Sequence, residues 1–479
     1  MRLATGSLGL ALFAGACGGG SSLGVTAPTA PSKPRRAPNI IFIVTDDLDA
    51  RSFAFMPLVK NLIGDRGVTF ASSYVSVPVC CPSRASILTG KYAHNHGVLF
   101  NGPPDGGFEG FHDAGEERST LATWLKDKGY RTAMVGKYLN GYPSGGDPNY
   151  VPPGWDEWFG IDSELTSDTY YNYGVNLNGQ RVSFGDGPDD YETDVLARRA
   201  TDFLRDAVRD REKPFLLYLA PSAPHTSAIP APRHASAYPD VFAPRVPSFN
   251  ESDVSDKPQW VREMNPLGPR DIEKLDRLYR NRLQTLLAVD EMVQHVMGTL
   301  EQAGVLDETY VFFTSDNGFQ MGEHRFPHGK DSPYEESILV PLVVRGPGVP
   351  AGRVLSHLVS NVDFAPTFAE MAGAPIPPDV DGRSLMPLLG SSPPAADSWR
   401  KEALVEHFAR QRSGIPAFRE LRTPTLAYVE YDDGNGELYD MQADPYELDN
   451  AFASAPAATV AALSSRLAVL KKCRGAGCR

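Results

Sequence analysis

The sequence contains no run of about 20 apolar residues, the length needed to cross a bilayer as a helix, and it has only five cysteines. It is also poor in basic residues, with 46 Lys and Arg against 59 Asp and Glu, for a net charge of −13. A chain of this charge repels polyanions at long range. We therefore exclude an ordinary nucleic-acid binder and expect any anionic substrate to be held by a local cationic cluster.

The remaining composition is that of a soluble globular protein, with 42% hydrophobic and 22% charged residues in a chain of 479. These values exclude disordered and collagen-like classes. The length allows two or three domains, or one large domain with a small appendage. No internal repeat is evident in the sequence.

The first 38 residues are typical of an exported protein. Arg2 precedes an apolar run at residues 8–16, which fits the hydrophobic region of an export signal. Residues 14–17, Ala-Gly-Ala-Cys, resemble a bacterial lipobox, in which Cys17 would carry a lipid anchor. We predict a signal at residues 1–17 and a flexible tether at 18–38. The protein would be a lipoprotein of the bacterial cell surface or periplasm, or else simply secreted.

The other four cysteines form two pairs. In an exported chain Cys473 and Cys478 could close a small disulfide loop, the alternative being two free thiols at the terminus. Cys80 and Cys81 are adjacent, and adjacent cysteines seldom bridge each other because the ring is strained. This second pair therefore needs a different explanation.

Short apolar runs alternate with amphipathic helical patterns, which predicts an α/β fold with a mostly parallel sheet between helices. The continuous apolarity of the runs implies strands buried on both faces. Asn178-Gly179 signals a hairpin, expected as an excursion from the main sheet. We predict a main domain at 39–395 and a small C-terminal subdomain at 396–479. The clearest strands are 40–44, 132–135, 215–219, 311–313 and 341–344; the helices are 120–128 with Ser119 as N-cap, 194–208, 271–303 and 458–470.

Polar residues follow four of these strands: Asp46 and Asp47, Lys137, His225, and Asp316 with Asn317. In open α/β sheets, groups at the carboxyl ends of strands converge on one rim, where ligands bind. Taken singly, the aspartates could be helix caps or turn residues. Together they offer hard oxygen donors that suit Ca²⁺ or Mg²⁺ better than Zn²⁺.

Cys80-Cys81-Pro82-Ser83-Arg84, followed by Leu88-Thr89-Gly90, predicts a short helix whose first N–H groups could face an anion. This segment resembles the first signature of the sulfatase family, and residues 129–132 with Gly136-Lys137 resemble the second. The resemblance covers residues 38–479. It implies an alkaline-phosphatase-like α/β fold with a small C-terminal α+β subdomain.

Membership of that family would imply that a formylglycine-generating enzyme converts Cys80, whose hydrated aldehyde attacks the sulfur of a sulfate monoester in line. The resemblance further implies that Ca²⁺, or Mg²⁺, is held by Asp46, Asp47, Asp316, Asn317 and residue 80. Many sulfatases have a His two residues after the lysine matching Lys137, where this chain has Leu139. The base that activates the hydrate thus stays open between Asn140 and a metal-bound hydroxyl. The roles implied for the other side chains are Arg84 steadying residue 80 and the carboxylates, Lys137 and Lys330 on the sulfate oxygens, and Lys330 or His225 as proton donor.

Several segments, among them residues 80–96, 136–140 and 473–479, most resemble N-acetylglucosamine-6-sulfatases, which implies a sulfated carbohydrate substrate. The enzyme alternative is a phosphonate or phosphate ester hydrolase of the same fold, and the non-enzyme alternative is a lipoprotein that only binds sulfated glycan. Asp49, Lys91, His94 and His96 could touch the sugar or only tie down loops. Residues 170–173, rich in Tyr, could stack on a pyranose or only pack the hairpin.

Overall fold

The computed structural model describes residues 37–144, 146–409 and 414–479. The predicted export signal, the lipobox with Cys17 and nearly all of the tether lie outside these residues. Ala37–Arg479 form one compact unit. In the described part of the chain, no helix has both the length and the apolarity to cross a membrane.

Two sheets organise the part of the chain that the structure describes. The main sheet has ten strands in the order β10-β2-β9-β8-β1-β7-β3-β4-β5-β6, and the small one has the antiparallel order β11-β12-β13-β14. The strands are β1 (Asn39–Thr45), β2 (Val68–Tyr74), β3 (Arg131–Gly136), β4 (Glu157–Asp162), β5 (Gly174–Leu177), β6 (Gln180–Ser183), β7 (Phe215–Ala220), β8 (Thr309–Ser315), β9 (Leu342–Arg345), β10 (Arg353–Ser360), β11 (Ala403–His407), β12 (Phe418–Arg422), β13 (Leu426–Tyr431) and β14 (Gly436–Asp440).

The centre of the main sheet is parallel. Strand β1 pairs in parallel with β7 and β8, β7 with β3, and β3 with β4, whereas β9, β5 and β6 run antiparallel to their neighbours. The predicted mostly parallel α/β sheet is therefore confirmed. The hairpin at Asn178-Gly179 is confirmed too, but it is not an excursion, because β5 pairs with β4 and extends the main sheet.

Helices cover both faces of this sheet. They are α1 (Pro57–Val59), α2 (Cys80–Thr89), α3 (Ala93–His96), α4 (Gly107–Asp113), α5 (Leu121–Asp127), α6 (Glu192–Ala207), α7 (Gln259–Arg262), α8 (Pro269–Gln302), α9 (Glu335–Ile338), α10 (Phe364–Ala372), α11 (Met386–Leu389) and α12 (Ala457–Leu470). The N-cap of α5 is Thr120 and not Ser119, because Thr120 and Thr123 exchange side-chain and backbone hydrogen bonds.

Strand β1 shows why its apolar run has no polar gap. Ile41 and Ile43 lie in the core formed with α6 and α8, whereas Ile40, Phe42 and Val44 lie in the core formed with α2, α5 and α10. Successive side chains of a strand point to opposite faces, so a strand covered on both faces must be apolar throughout. Its carboxyl end is where polar residues first become possible.

The C-terminal part carries the small sheet and α12, packed around Leu421, Tyr428 and Leu467. Cys473 and Cys478 form a disulfide, as predicted. The boundary at residue 396 stays a prediction.

The turn that ends β3 yields a prediction about stability. Gly136 has φ +114°, and a Cβ there would lie 2.1 Å from the carbonyl oxygen of Ala220. Gly129 also has a positive φ, +81°, but nothing within 4 Å of its Cβ position. Gly129→Ala should therefore cost only the conformational strain, about 1 kcal/mol. Gly136→Ala should cost about 1–3 kcal/mol more, because the backbone must move.

Urea denaturation of the two variants measures this difference in the free energy of unfolding. Equal losses in both variants would contradict the steric explanation. Because Lys137 directly follows Gly136, the Gly136 variant should also lose activity, whereas the Gly129 variant should keep it.

Candidate active site

The site begins where β1 and β8 end side by side. Their register aligns Val44 with Thr314 and Thr45 with Ser315, so Asp46 and Asp316 leave the sheet together. Asp47 adopts φ +69°, and its N–H donates to Asp316 Oδ1 at 3.1 Å. The convergence expected from the sequence at the strand ends is therefore present, and it produces a floor of buried carboxylates.

Cys80 is the first residue of α2 and is fully buried. Its Sγ lies 3.3 Å from Asp46 Oδ1 and 3.9 Å from Asp47 Oδ1. The N–H groups that follow are not free for an anion, since Cys81 donates to Asn101 Oδ1, Pro82 has no N–H and Ser83 donates to the carbonyl of Val79. Positive charge at this site therefore comes from side chains.

Arg84 lies one helical turn after Cys80 and is 1% exposed. Its Nε donates to Asp316 Oδ2 at 2.7 Å, and its Nη1 donates to the carbonyl of Lys137 at 2.7 Å. The guanidinium thus joins the loops that follow β8 and β3 to the helix that carries Cys80. A planar group with several donors suits this bridging better than an ammonium.

Two lysines cover the floor from the open side. Lys137 pairs with Asp46, and Lys330 pairs with Asp47 and lies 2.6 Å from Cys80 Sγ. Their side chains are 15% and 14% exposed, whereas those of the aspartates are 1% exposed. The cations therefore line the mouth of the site, where an incoming anion would meet them.

His225 lies further out, with 31% of its side chain exposed and Nε2 3.8 Å from Asp47 Oδ2. Its Nδ1 contacts the carbonyl of Thr226. Because a carbonyl can only accept, Nδ1 carries a hydrogen and Nε2 is left facing the site.

Burial and charge act on these groups in opposite directions. Burial would raise the pKa of Asp46, but Lys137, His225, Arg84 and Lys330 hold it well below its ordinary value. Burial lowers the pKa of Lys330, but Asp47 and Cys80 raise it well above normal, so the ammonium is charged at neutral pH. Burial and Asp46 raise the pKa of the Cys80 thiol. Cys80 is therefore a protonated and weakly nucleophilic thiol.

The donor set fits a hard divalent cation. One ligand atom from each of Asp46, Asp47, Cys80 and Asp316 lies within 4.8 Å of the others, and all four residues are buried. Asn317 Oδ1 is buried and has no hydrogen-bond partner in the described part of the chain. Three carboxylates and an orphaned amide oxygen are the kind of oxygen ligands that Ca²⁺ and Mg²⁺ prefer.

Sequence reasoning missed Arg282 as an individual residue of the site. Its guanidinium, 1% exposed, donates to the carbonyls of Asp47 and of Pro224 at 2.9 Å and stacks on Phe319. The available signal was its spacing, since Arg282 follows Leu275 and Tyr279 on the core-facing side of α8. A charge at such a position calls for a buried partner.

The residues that flank the Cys80 segment make contacts that tie down loops. His94 contacts Glu406 Oε2 and the carbonyl of Cys473, both at 2.9 Å. His96 Nε2 lies 3.0 Å from Ser86 Oγ. Lys91 pairs with Glu116 and Asp379.

The tyrosine-rich segment packs against the protein, since the buried Tyr170 donates its hydroxyl to the carbonyl of His225 at 2.7 Å. Leu139 is a buried core residue. Asn140 Oδ1 is buried and without a hydrogen-bond partner among the described residues. Asp49 holds the N–H of Ser52 at 2.9 Å and lies 4.0 Å from Arg282.

Comparison with known families gives two matches. The sulfatase family matches residues 38–374, and the family described as N-sulphoglucosamine sulphohydrolase, C-terminal, matches residues 322–473. The first match alone covers more than half of the chain and includes the whole site.

The named relatives that the chain resembles are sulfatases as well. The chain is 35% identical to the N-acetylglucosamine-6-sulfatase of Capra hircus, with 96% of this chain and 87% of the relative covered. It is 29% identical to the N-acetylglucosamine-6-O-sulfatase of Bacteroides thetaiotaomicron, with coverages of 88% and 83%. It is 40% identical to an extracellular sulfatase SULF-1 homolog of Drosophila melanogaster over 80% of this chain, but spans only 34% of that relative.

Solved structures share the fold. A protein in complex with its substrate D-glucosamine-2-N,6-O-disulfate superposes with a TM-score of 0.78 and 27% identity, over 91% of this chain and 98% of the other. A phosphonate monoester hydrolase from Silicibacter pomeroyi gives a TM-score of 0.70 and 24% identity, over 90% and 94%. At 24% identity, the likeness to the phosphonate monoester hydrolase shows a shared fold and no more.

A buried carboxyl behind the site gives a pH prediction. Glu192 accepts the Ser222 N–H at 2.9 Å and so anchors the loop that leads to His225. Burial raises the pKa of Glu192 to about 7, although hydrogen bonds from Ser222 and Thr193 oppose this. The folded state thus holds this proton more tightly than the unfolded chain does. The contribution of the protonated Glu192 carboxyl to the free energy of unfolding is complete below about pH 4.5 and is lost as the pH rises through about 7.

Glu192→Gln keeps an oxygen acceptor but does not titrate. Relative to wild type, it should gain a few kcal/mol in the free energy of unfolding between about pH 4.5 and pH 8. Chemical denaturation across that range measures the difference, with Glu273→Gln on the exposed side of α8 as control. A variant curve parallel to that of wild type would contradict the shifted pKa.

Proposed function

The chain belongs to the sulfatase family, and from that premise we propose that this enzyme removes the 6-O-sulfate of N-acetylglucosamine in a glycosaminoglycan, using formylglycine at position 80 and Ca²⁺. The proposal is supported above all by one observation. Cys80 Sγ lies 3.3 Å from Asp46 Oδ1 and 2.6 Å from Lys330 Nζ, at the bottom of a site whose mouth is cationic.

The state of Cys80 supports its conversion. Burial and Asp46 raise the pKa of its thiol, so an unmodified thiol would be a poor nucleophile. Formylglycine supplies an aldehyde hydrate as the oxygen nucleophile. Arg84 fixes the end of the helix on which this residue lies, because it is tied to both Asp316 and the loop of Lys137.

Substrate binding falls to the two lysines. A sulfate monoester is an anion, and both ammonium groups lie at the mouth of the site beside carboxylates. We propose that Lys137 and Lys330 bind sulfate oxygens and orient the S–O bond. Removing one such contact commonly costs about 2.7–4 kcal/mol in the transition state.

For the metal, we propose Asp46, Asp47, Asp316 and Asn317 as ligands, together with residue 80. Asn317 Oδ1, buried without a partner in the described structure, supports its inclusion. When bound, Ca²⁺ supplies positive charge that offsets the charge of the sulfate.

We propose His225 as the proton donor to the leaving oxygen. Lys330 is engaged by both Asp47 and Cys80, whereas His225 is the more exposed group, and its imidazolium form carries a proton on Nε2 that can pass to the leaving oxygen while Nδ1–H stays on the carbonyl of Thr226. A sugar alkoxide is a poor leaving group, so protonation of this oxygen matters more for a sugar than for a phenol.

The choice of sugar rests on the relatives. Two N-acetylglucosamine-6-sulfatases cover 96% and 88% of the chain, and one structural neighbour holds a 6-O-sulfated glucosamine. Export as a lipoprotein through Cys17, with a signal at 1–17 and a tether at 18–38, remains part of the proposal, as do the formylglycine-generating enzyme as maturation partner and the subdomain that begins at residue 396.

The adjacent cysteines provide a matched test of the nucleophile. Cys80→Ala should abolish hydrolysis of 6-sulfated N-acetylglucosamine, whereas Cys81→Ala should keep it, because Cys81 packs in the core beneath α2. Protein made with a formylglycine-generating enzyme is assayed for sulfate release, and the peptide containing residue 80 is examined by mass spectrometry.

The same assay includes a phosphonate monoester, a phosphodiester and an N-sulfated glucosamine. A strong preference for phosphorus would overturn the proposed reaction, and preference for the N-sulfate would overturn the proposed position. Active protein that retains the Cys80 thiol completely would overturn the nucleophile.

The role of His225 predicts a dependence on the leaving group. His225→Asn should lower kcat on the sugar sulfate about 10²–10⁴-fold, because the alkoxide then leaves without a proton. With an aryl sulfate, whose phenolate leaves unaided, the loss should be at least tenfold smaller. Equal losses with both substrates would show that His225 only shapes the site.

A further inference from the structure

A second group of metal-ligating side chains lies behind the loop that carries Lys330. It consists of His324 in that loop, Glu336 in α9 and Glu447 after β14. One ligand atom from each lies within 4.8 Å of the others, and the three residues are 1%, 8% and 3% exposed. Segments far apart in the chain thus meet at one buried point.

Two of these side chains have atoms without partners. His324 Nε2 and Glu336 Oε2 are buried and make no hydrogen bond to any described residue. Leaving such atoms unsatisfied costs about 1–3 kcal/mol each, so a buried pair of them indicates a missing partner.

The second nitrogen of His324 shows which partner fits. Its Nδ1 lies 2.7 Å from Glu251 Oε2, so Nδ1 carries the hydrogen and Nε2 presents a lone pair. This lone pair and the two carboxyl groups face one another, an arrangement that a cation between them would satisfy. A carboxylate on the outer nitrogen is also what metal-binding histidines usually have.

Acidic side chains outnumber basic side chains around this cluster. Arg51 pairs with Glu336 at 3.0 Å but is shared with Glu323, and Lys257 lies 3.7 Å from Glu251. Glu447 accepts the N–H of Glu335 at 3.1 Å. Further carboxyl groups, those of Glu335, Glu420, Asp256 and Asp444, act on this cluster, and Arg422 faces Glu335 and Glu420.

We propose that His324, Glu336 and Glu447 bind a second divalent cation of the Zn²⁺ or Mn²⁺ class, separate from the oxygen site at Asp46. One imidazole with two carboxylates suits these ions better than Ca²⁺, which prefers oxygen ligands. The ion joins the loop of Lys330 and α9 to the segment after β14, and so holds in place the loop that carries Lys330.

Metal content tests the proposal without relying on activity. The full chain is expressed in medium supplemented with zinc and manganese, dialysed against Ca²⁺, and analysed by mass spectrometry for metals. Wild type should retain about one equivalent of Zn²⁺ or Mn²⁺, whereas His324→Gln and Glu447→Gln should retain at least tenfold less. His357→Gln, at another buried histidine on β10, should keep the ion.

Anomalous diffraction at the zinc and manganese edges from wild-type crystals decides the matter even if the variants fail to fold. A peak between His324, Glu336 and Glu447 is expected. A metal-free wild type, or a peak elsewhere only, would overturn the proposal and leave a proton shared between Glu336 and Glu447 as the explanation. Calcium content and the fate of Cys80 are measured separately, so failure here is distinguishable from failure of the proposed reaction.

Discussion

The structure depends on the crowding of negative charge at the carboxyl ends of β1 and β8. Asp46, Asp47 and Asp316 leave two adjacent parallel strands within a few ångströms of one another and are almost completely buried. Buried carboxylates are tolerable only when cations and hydrogen bonds compensate them. Arg84, Lys137 and Lys330 provide that compensation, and each comes from a different part of the chain.

This compensation also determines the shape of the site. Arg84 is fully buried because it bridges carboxylate and carbonyl partners beneath the surface, whereas the two lysines remain partly exposed. A substrate anion can therefore reach the lysines but not the arginine. Arg282 also joins distant segments. It donates to the backbone carbonyls of Asp47 and Pro224 and so holds the turn at Asp47 and the loop of His225 together.

The C-terminal part is connected to this centre through buried polar contacts. His94 links the region after α2 to Glu406 of β11 and to the carbonyl of Cys473. Glu447 meets His324 and Glu336 behind the loop of Lys330. Residues near the C-terminus thus help to fix loops around the site, and the part after β10 is more than an appendage.

The sequence by itself determined the central strands and the chemistry at their ends. Continuous apolar runs identify strands buried on both faces, and polar residues directly after them are placed at one rim by the topology of parallel sheets. The tertiary structure alone decided that Arg282 reaches Asp47, that β5 and β6 extend the main sheet, and that His324 meets Glu447. Those contacts join segments far apart in the chain, and local patterns carry no information about which distant groups will share a buried charge.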